Sequence, residues 1–320
     1  MEEKIRDVVM IGAGPSALAA AVYTTREGID TVLYEKAVIG GLAAITDQVD
    51  NYPGFPEGVP GLELAERLEK QAERFGAQIE YGDVSEIRDE GDIKVVVVDD
   101  QEVKARTVLI ATGSDYNKLG VPGEKEYYGR GVHYCATCDG AFYREKTLVV
   151  VGGGNSGFQE AIFLTRFSSH IDLLVRSTVK ASEILQEQMQ KYVDEGKVTI
   201  HLQTSVDEII AEDGKVKGVK AKKDGQPVMF SSDGVFVFVG LKPNTQFLEG
   251  SGIELDEQKL VKTDGHLSTN FPGIYASGDV RSGATMQVAS AVGEGATAAL
   301  SIREYLDEQA HKISKGKTLY

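Results

Sequence analysis

Cysteine is scarce in this sequence, which has only two, Cys135 and Cys138, among 320 residues. A secreted scaffold spreads an even number of cysteines along the chain as disulfide staples. One close pair therefore argues against that class and predicts a reducing compartment, the cytoplasm. The first seven residues also carry three acidic side chains, which is unlike the start of a secretory signal.

Positive charge and long apolar runs are lacking as well. Lys and Arg number 34 against 49 Asp and Glu, which gives a net charge of −15. A chain of this charge without a basic block is poorly suited to a phosphate backbone or to anionic lipid, so we expect neither nucleic acid nor membrane as a partner. No uninterrupted apolar run of about 18 residues occurs, so no membrane span is predicted.

Glycine, in contrast, is abundant. The sequence has 36 glycines, about 11% of the chain against a usual ~7%. Apolar residues make up 42% and charged residues 26%, which is typical of a folded globular protein. Because 320 residues exceed one ordinary hydrophobic core, the length predicts two domains.

The N-terminal segment has the pattern of a nucleotide-binding β-turn-α-β unit. A buried strand at residues 7–11 leads into Gly12–Ala17, an Ala-rich helix to about Arg26 and a second strand at residues 31–34. Glycines in such a turn let a pyrophosphate approach the backbone at a helix N-terminus. Glu35 follows the second strand, where a carboxylate can accept both hydroxyls of an adenosine ribose.

The same motif occurs a second time. A strand at residues 148–151 precedes the glycine turn Gly152–Gly157, a helix over about residues 158–167 and a strand at residues 171–175. Arg176 and Ser177 stand where the first copy has Glu35, and Lys180 offers a second cation. A cation without an acid suits a ribose 2′-phosphate. The first site is therefore predicted to bind FAD or NAD, and the second NADP.

Late glycine signatures predict how the two domains share the chain. One predicted strand runs into Ala111–Gly113 and another into Gly240. A third strand precedes Gly278 and Asp279, and a helix over residues 287–303 follows them. The Asp279 carboxylate could bond a flavin ribityl hydroxyl at the start of that helix. Residues 115–118 and 242–245 are interpreted as paired crossings. We expect an α/β fold of two Rossmann-like, three-layer ββα domains, with residues 1–117 and 246–320 binding FAD and residues 118–245 binding NAD(P)H.

The cysteine pair lies just before the second glycine turn. Two thiols at positions i and i+3 can close a small disulfide, and the following Asp139 could move the protons of exchange. Zinc usually needs four N or S ligands, and His133 alone does not complete a site. Inert buried thiols are the other alternative. For His133 we favour packing over tuning of the Cys135 thiolate.

Two dinucleotide sites and one dithiol together indicate an electron path. A nicotinamide delivers two electrons as hydride, a dithiol accepts two, and a flavin couples the two chemistries. The residues thus predict transfer from NAD(P)H through FAD to the Cys135–Cys138 disulfide.

With these motifs the chain resembles the low-molecular-weight, bacterial-type thioredoxin reductases over nearly its whole length. The motifs that carry the resemblance are Gly12–Ala17, Gly40–Gly41, Asn51–Pro53, Ala111–Gly113, Gly129–Val132, Cys135–Gly140, Gly152–Ala161 and Gly278–Val280. The resemblance implies a homodimeric flavoprotein in which Cys138 lies nearer the flavin, Cys135 attacks the thioredoxin disulfide and Asp139 is the acid and base. It also implies that the NADPH domain swings between two orientations.

Motif and resemblance together give the expected ligands. We expect FAD to bind Gly12, Gly14, Pro15, Ser16, Glu35, Lys36, Gly41, Leu42, Asn51, Val84, Ala111, Thr112, Gly113, Gly278, Asp279, Gln287 and Val288. We expect NADPH to bind Gly154, Asn155, Ser156, Arg176, Ser177 and Lys180.

Three departures from the family pattern keep alternatives open. Val175–Lys180 lacks part of the cationic clamp for the 2′-phosphate, Met286–Gln287 replaces Arg-Gln, and Leu42 replaces a glutamine. Such changes are typical of a divergent branch, so NADH and reduced ferredoxin remain alternative donors to NADPH. A dithiol oxidase that passes electrons to dioxygen is the alternative reaction. A ferredoxin–NADP reductase is disfavoured because it needs no dithiol, and a non-catalytic flavin sensor ranks last.

Overall fold

A computed structural model describes residues 4–46 and 48–316. The described strands are β1 (Arg6–Ile11), β2 (Thr31–Glu35), β3 (Gln78–Tyr81), β4 (Val84–Glu90), β5 (Ile93–Val98), β6 (Gln101–Ile110), β7 (Ser114–Tyr116), β8 (Val132–His133), β9 (Thr147–Val151), β10 (His170–Leu174), β11 (Val198–His201), β12 (Thr204–Glu212), β13 (Lys215–Lys223), β14 (Gln226–Ser231), β15 (Gly234–Val237), β16 (Leu241–Pro243) and β17 (Ile274–Ala276). The described α-helices are α1 (Pro15–Arg26), α2 (Gly41–Ala44), α3 (Gly61–Arg74), α4 (Ala136–Asp139), α5 (Asn155–Leu164), α6 (Glu183–Asp194) and α7 (Val288–Gly316). Short 3₁₀ helices cover Gly140–Tyr143 and Gln246–Leu248. None of the helices in the described ranges is long and apolar enough to cross a membrane.

The chain divides into two compact units. Unit 1 comprises residues 1–115 and 243–320, and unit 2 comprises residues 116–242. The chain passes between the units in β7 and β16, which pair as a two-stranded ribbon.

Unit 1 is built on a parallel sheet with the order β3-β2-β1-β6. The last residues of β6 also pair with β17, on the edge of β6 opposite to β1. The first half of β6 instead pairs with β5 in an antiparallel meander that continues to β4. Side chains alternate along β1, so Val8 and Met10 pack against α1, α3 and α7, whereas Val9 and Ile11 pack against the meander. Because both faces of β1 are buried, nearly every position along this strand carries an apolar side chain.

Unit 2 repeats this arrangement in a parallel five-stranded sheet, order β11-β10-β9-β15-β8, with a separate antiparallel meander β12-β13-β14. On β9, Leu148 and Val150 pack toward α5 and α6, and Val149 and Val151 pack toward the meander. Each unit thus has helices on one face of a parallel sheet and a meander on the other. The predicted fold class is confirmed.

Two helices differ from their expected bounds. Helix α5 begins at Asn155, not near residue 158, because the Phe158 amide already donates to the carbonyl of Gly154, which has extended backbone. It ends at Leu164 rather than Phe167. Helix α7 runs to Gly316 instead of Arg303, since its buried stripe continues from Ile302 to the partly buried Tyr305 and Leu306.

Candidate redox site

The turn between β1 and α1 leaves the backbone open to a ligand. Gly12 has a φ of +99°, and an added Cβ there would lie 2.6 Å from the carbonyl oxygen of Ala111. Gly14 is extended, and apart from its chain neighbours no atom of the described residues lies within 4 Å of the position a Cβ would take. Because α1 begins at the next residue, Pro15, free amides at the helix N-terminus face this space.

Glu35 closes one side of the same turn. Its two carboxylate oxygens accept hydrogen bonds of 2.8 Å from the amides of Ala13 and Ala37, and the residue is buried. Each oxygen retains a second lone pair. The carboxylate is thus held in place and can still accept a hydroxyl group.

A cavity of about 360 Å³ opens beside Glu35. Of the residues predicted to bind FAD, its wall contains Gly12, Glu35, Lys36, Val84 and Thr112. The wall also contains residues that the sequence analysis did not find, namely Ile11, Tyr34, Gly82, Asp83, Ser85, Asn244, Gln246 and Phe247. Thr112 and Asn244 are linked directly, since the Thr112 hydroxyl donates to the Asn244 carbonyl at 2.7 Å. Ile11 and Tyr34 lie at the carboxyl ends of β1 and β2, and Gly82, Asp83 and Asn244 directly follow β3 and β16. A position at the end of a strand was the signal that could have identified these five. Ser85 in β4 and the 3₁₀ residues Gln246 and Phe247 carry no such signal.

A second part of the predicted site forms where β17 leads toward α7. Ser16 and Ser277 share a buried hydrogen bond of 2.6 Å between their hydroxyls, and a Cβ on Gly278 would lie 3.1 Å from the Ser16 Cβ. Ser114 donates to the backbone carbonyl of Asp279 at 2.5 Å. These contacts bring the Gly278–Asp279 turn against the start of α1.

Asp279 carries an unusual carboxyl group. Burial, and secondarily the carboxylate of Glu294, raises the pKa of Asp279 from 3.8 to about 6. Glu294 is itself fixed, since it accepts the Gly278 amide at 2.7 Å and pairs with Arg281 at 2.6 Å. No hydrogen bond from the described residues reaches the Asp279 side chain, so this acceptor is available to a ligand hydroxyl.

Further predicted residues lie around the same strand ends. Gly41 begins α2, which includes Leu42, and a Cβ on Gly41 would lie 3.7 Å from the Gly14 Cα. Asn51 donates to the Gln287 side chain at 3.0 Å, just before α7 begins at Val288. Ala111 continues from β6, donates to the Ile11 carbonyl at 2.9 Å and is followed by Thr112 and Gly113. Open backbone at Gly14, the fixed carboxylate of Glu35 and the carboxyl of Asp279 fit the phosphates and hydroxyls of a dinucleotide.

Unit 2 contains the second glycine turn. A Cβ on Gly152 would lie 2.3 Å from the Phe238 carbonyl oxygen, and one on Gly157 would lie 2.4 Å from the Gly152 oxygen. Gly154 has open space, and Asn155 and Ser156 begin α5. The geometry is therefore that of the first turn, with helix and strand in close contact.

The loop after β10 lies over this turn. The Lys180 amide donates to the Gly153 carbonyl at 2.7 Å, and the Ser182 amide donates to the Asn155 side chain at 2.8 Å. The side chains of Arg176, Ser177 and Lys180 are exposed on the loop. Backbone bonds thus hold the loop and leave its two cations accessible to an anion.

The two cysteines form a disulfide at the start of α4. Cys135 caps the helix and is bonded to Cys138 with a Cα–Cα distance of 5.3 Å, and the Cys138 amide lies 3.1 Å from the Cys135 sulfur. Both cysteines are half-buried. Among the described residues no group of three or more His, Cys, Asp or Glu side chains could hold a metal ion. In this structure the pair is a closed disulfide.

Polar side chains flank the disulfide. Asp139, the last residue of α4, lies 3.2 Å from His133 through Oδ2 and Nδ1, and the other ring nitrogen of His133 lies 2.7 Å from the Tyr143 hydroxyl. Burial, and secondarily the charges of Asp139 and Asp233, raises the pKa of Tyr143. Packing was the predicted role of His133, and the structure adds these two polar contacts.

Comparison with known proteins identifies the family. Residues 6–295 match the family described as pyridine nucleotide-disulphide oxidoreductase. Thioredoxin reductases of Bacillus subtilis (strain 168) and Listeria monocytogenes are 43% and 42% identical to the chain, each over 96% of both sequences. The crystal structure of thioredoxin reductase from Streptococcus pyogenes MGAS5005 superimposes with a TM-score of 0.90 at 38% identity, over 95% of this chain and 99% of that one. The chain belongs to the pyridine nucleotide-disulphide oxidoreductase family, within its bacterial-type thioredoxin reductase branch.

Proposed function

We propose that this protein is a thioredoxin reductase, which passes electrons from NADPH through FAD to its own Cys135–Cys138 disulfide and from there to oxidised thioredoxin. The observation that carries the proposal is the disulfide itself, closed by the chain's two cysteines at the start of α4. It occurs in a chain 43% identical to a protein named thioredoxin reductase. Those relatives favour reduction of thioredoxin over the alternative of a dithiol oxidase.

Unit 1 is proposed to bind FAD. The open backbone at Gly14 and the N-terminus of α1 would receive the pyrophosphate, and Glu35 would accept the hydroxyls of the adenosine ribose. Asp279 would accept a ribityl hydroxyl, which supplies the hydrogen bond that its carboxyl group lacks within the described residues. When bound, FAD supplies the coupling between hydride transfer and disulfide reduction.

Unit 2 is proposed to bind NADPH. Gly154, Asn155 and Ser156 offer backbone amides at the start of α5, and the exposed Arg176 and Lys180 suit the 2′-phosphate that distinguishes NADPH from NADH. Arg can bind a phosphate through two hydrogen bonds, whereas Lys acts as a point charge. NADH and reduced ferredoxin are the alternative donors.

The reducing chemistry rests on thiol–disulfide exchange. In the reduced protein, the Cys135 thiolate attacks a sulfur of the thioredoxin disulfide, which forms a mixed disulfide and releases one thioredoxin sulfur as a thiolate that takes up a proton. Cys138 then loses its proton and attacks the Cys135 sulfur, which restores the protein disulfide and frees the second thioredoxin sulfur. Asp139 adjoins Cys138 in sequence and would carry the proton from attacking to leaving sulfur.

The variant Cys138→Ser tests the dithiol path. We expect it to retain FAD, because the flavin ligands lie in unit 1, and to lose reduction of thioredoxin because no internal disulfide can form. The measurements are flavin absorbance and NADPH-dependent reduction of thioredoxin, with Thr137→Ser, an exposed neighbour in α4, as the matched control. Turnover retained in Cys138→Ser would refute the path, and aerobic peroxide release without thioredoxin reduction by the wild type would favour the oxidase.

We also propose that the protein is a homodimer, as the family resemblance implies, and that it acts in the cytoplasm, as the single close pair of cysteines predicts. Light scattering during size-exclusion chromatography of the flavin-loaded protein measures its mass. A mass near 69 kDa, twice the 34.5 kDa of one chain, supports the dimer, and a monomer mass counts against it.

A further inference from the structure

His133 is held in a fixed position beside the disulfide. It lies on β8, where its backbone pairs in register with Phe236 of β15, and its ring centroid lies 5.1 Å from that of Phe236. Only 4% of the residue is exposed. Such a ring has little freedom to turn, so its two nitrogens point to defined partners.

The partners of His133 define which nitrogen carries the proton. An ionised carboxylate can only accept hydrogen bonds, so Nδ1, at 3.2 Å from the Asp139 Oδ2, must be protonated to bond it. In the neutral ring Nε2 is then an acceptor, which matches the Tyr143 hydroxyl at 2.7 Å. The result is a chain of hydrogen bonds from Tyr143 through His133 to Asp139.

The fold leaves space for this chain. A Cβ at Gly234 would lie 2.4 Å from the Tyr143 ring, so the glycine in β15 makes room for that tyrosine. Burial is the first cause that raises the pKa of Tyr143, so the hydroxyl keeps its proton and can donate. Outside the hydrogen-bonded chain, the charge that acts on Tyr143 is that of Asp233, before β15, which pairs with Lys146 at 3.9 Å. Cys135 and Cys138 adjoin Asp139 in sequence and titrate only once the disulfide is reduced.

We propose that His133 is a positioning residue for Asp139, which it holds by one carboxylate oxygen so that the other exchanges protons with the dithiol. The proposal rests on the proposed function. Within the described part of the chain no hydrogen bond reaches Oδ1 of Asp139, so this oxygen can take the proton from an attacking thiol and return it to the leaving sulfur. The protein sulfurs are oxidised to the disulfide as those of the substrate are reduced, and the proton count is unchanged.

Two variants of His133 separate positioning from packing. The side-chain amide of Asn overlays Nδ1, so His133→Asn keeps a donor toward Asp139 and loses the bond to Tyr143. The amide of Gln overlays Nε2, so His133→Gln keeps the Tyr143 bond and loses the donor to Asp139. We expect His133→Gln to reduce thioredoxin about tenfold more slowly than the wild type, and His133→Asn to stay within about threefold.

A second readout does not depend on thioredoxin. The flavin-loaded enzyme is reduced anaerobically with NADPH, and alkylation of Cys135 and Cys138 by iodoacetamide is followed by mass spectrometry as a function of pH. A carboxylate without its donor disfavours a neighbouring thiolate, so the midpoint of alkylation should move to higher pH in His133→Gln by at least about half a unit, and stay in place in His133→Asn.

The controls make the outcomes distinct. Flavin content and NADPH-driven reduction of an artificial dye, which bypasses the dithiol, should match the wild type in both variants. Equal thioredoxin rates or equal alkylation midpoints in the two variants would overturn the positioning role. If neither variant folds, Tyr143→Phe removes only the hydroxyl that bonds Nε2 and keeps the donor to Asp139. Its thioredoxin rate should stay within about threefold of the wild type, like that of His133→Asn, and a loss of about tenfold would contradict the role given to Nδ1. A wild type that reduces no thioredoxin would instead defeat the proposed function, while the alkylation comparison would still test His133.

Discussion

The Asp279 carboxyl group provides the sharpest test of the proposed flavin site, because its ionised form destabilises the folded protein when no ligand is bound. Its pKa of about 6 reflects burial first and the Glu294 carboxylate second. The ionised form is thus disfavoured in the folded state, and a hydrogen bond from a bound ribityl hydroxyl would stabilise it. The variant Asp279→Asn removes the charge and keeps the size of the side chain.

The size of the effect follows from the pKa. A carboxyl group whose pKa is raised from 3.8 to about 6 on folding destabilises the native state by about 3 kcal/mol at pH 7. Since the folded form binds the proton more tightly, this cost falls as pH decreases through 6, and it is below about 1 kcal/mol at pH 4. Asparagine carries no such cost, although its buried amide makes 3 kcal/mol an upper limit.

Thermal unfolding of the apoprotein and of the flavin-loaded protein gives the measurement. We expect the Asp279→Asn apoprotein to melt on the order of 5 °C above the wild-type apoprotein at pH 7, with the difference shrinking toward pH 4. FAD should bind the variant about tenfold more weakly, because a hydrogen bond to a charged acceptor becomes one to a neutral acceptor. The conservative control is Asp256→Asn, a carboxyl group of unit 1 whose pKa is lowered by its hydrogen bonds and which should destabilise when changed. Apoprotein melting that is unchanged or lowered at pH 7 in Asp279→Asn would refute the reasoning.

Two further variants address unit 2. Arg176→Ala should raise the KM for NADPH about tenfold and leave the KM for NADH unchanged, because only NADPH carries the phosphate that the guanidinium would bind. Steady-state kinetics with both donors measures the two KM values. Equal changes in both would refute the assignment. Gly157→Ala places a Cβ 2.4 Å from the Gly152 oxygen, so it should destabilise unit 2 by about 1–3 kcal/mol and abolish NADPH-dependent flavin reduction while FAD stays bound. Stopped-flow absorbance measures the rate of flavin reduction, and thermal unfolding measures the stability. A Gly157→Ala variant whose flavin is reduced by NADPH at the wild-type rate would contradict the prediction from this close contact.

Features that depend on a few neighbouring residues could be predicted from the sequence. The turn at Gly12 needs a positive φ, so a glycine appears there at a fixed place after an apolar strand. The helical turn around Cys135 and Cys138 is local too, since the two sulfurs lie three residues apart. The fold class followed from finding the strand–turn–helix pattern twice, and the structure confirms it.

Features that depend on distant residues could not. Asn244 reaches the Thr112 carbonyl from 132 positions along the chain, and no local pattern at either residue indicates that contact. His133 and Asp139 are close in sequence, yet their contact depends on β8 pairing with β15, about a hundred residues later. The start of α5 was misplaced for a local reason, because Asn155 to Gly157 are helical although their composition is typical of a turn.

The two units stabilise similar turns in different ways, and this affects how freely each site can change. In unit 1 the Glu35 side chain accepts the Ala13 and Ala37 amides, so the residue proposed to bind ribose also holds the turn together. In unit 2 the backbone bond from Lys180 to Gly153 holds the loop, and the side chains of Arg176 and Lys180 remain exposed. Substitution of Glu35 therefore removes two hydrogen bonds of the turn together with the proposed ribose ligand, whereas substitution of Arg176 changes the charge at the proposed donor site and leaves the backbone bond of the loop intact. If unit 2 binds the donor as proposed, a preference among NADPH, NADH and other donors can diverge by single substitutions there, while the proposed flavin site in unit 1 stays constrained.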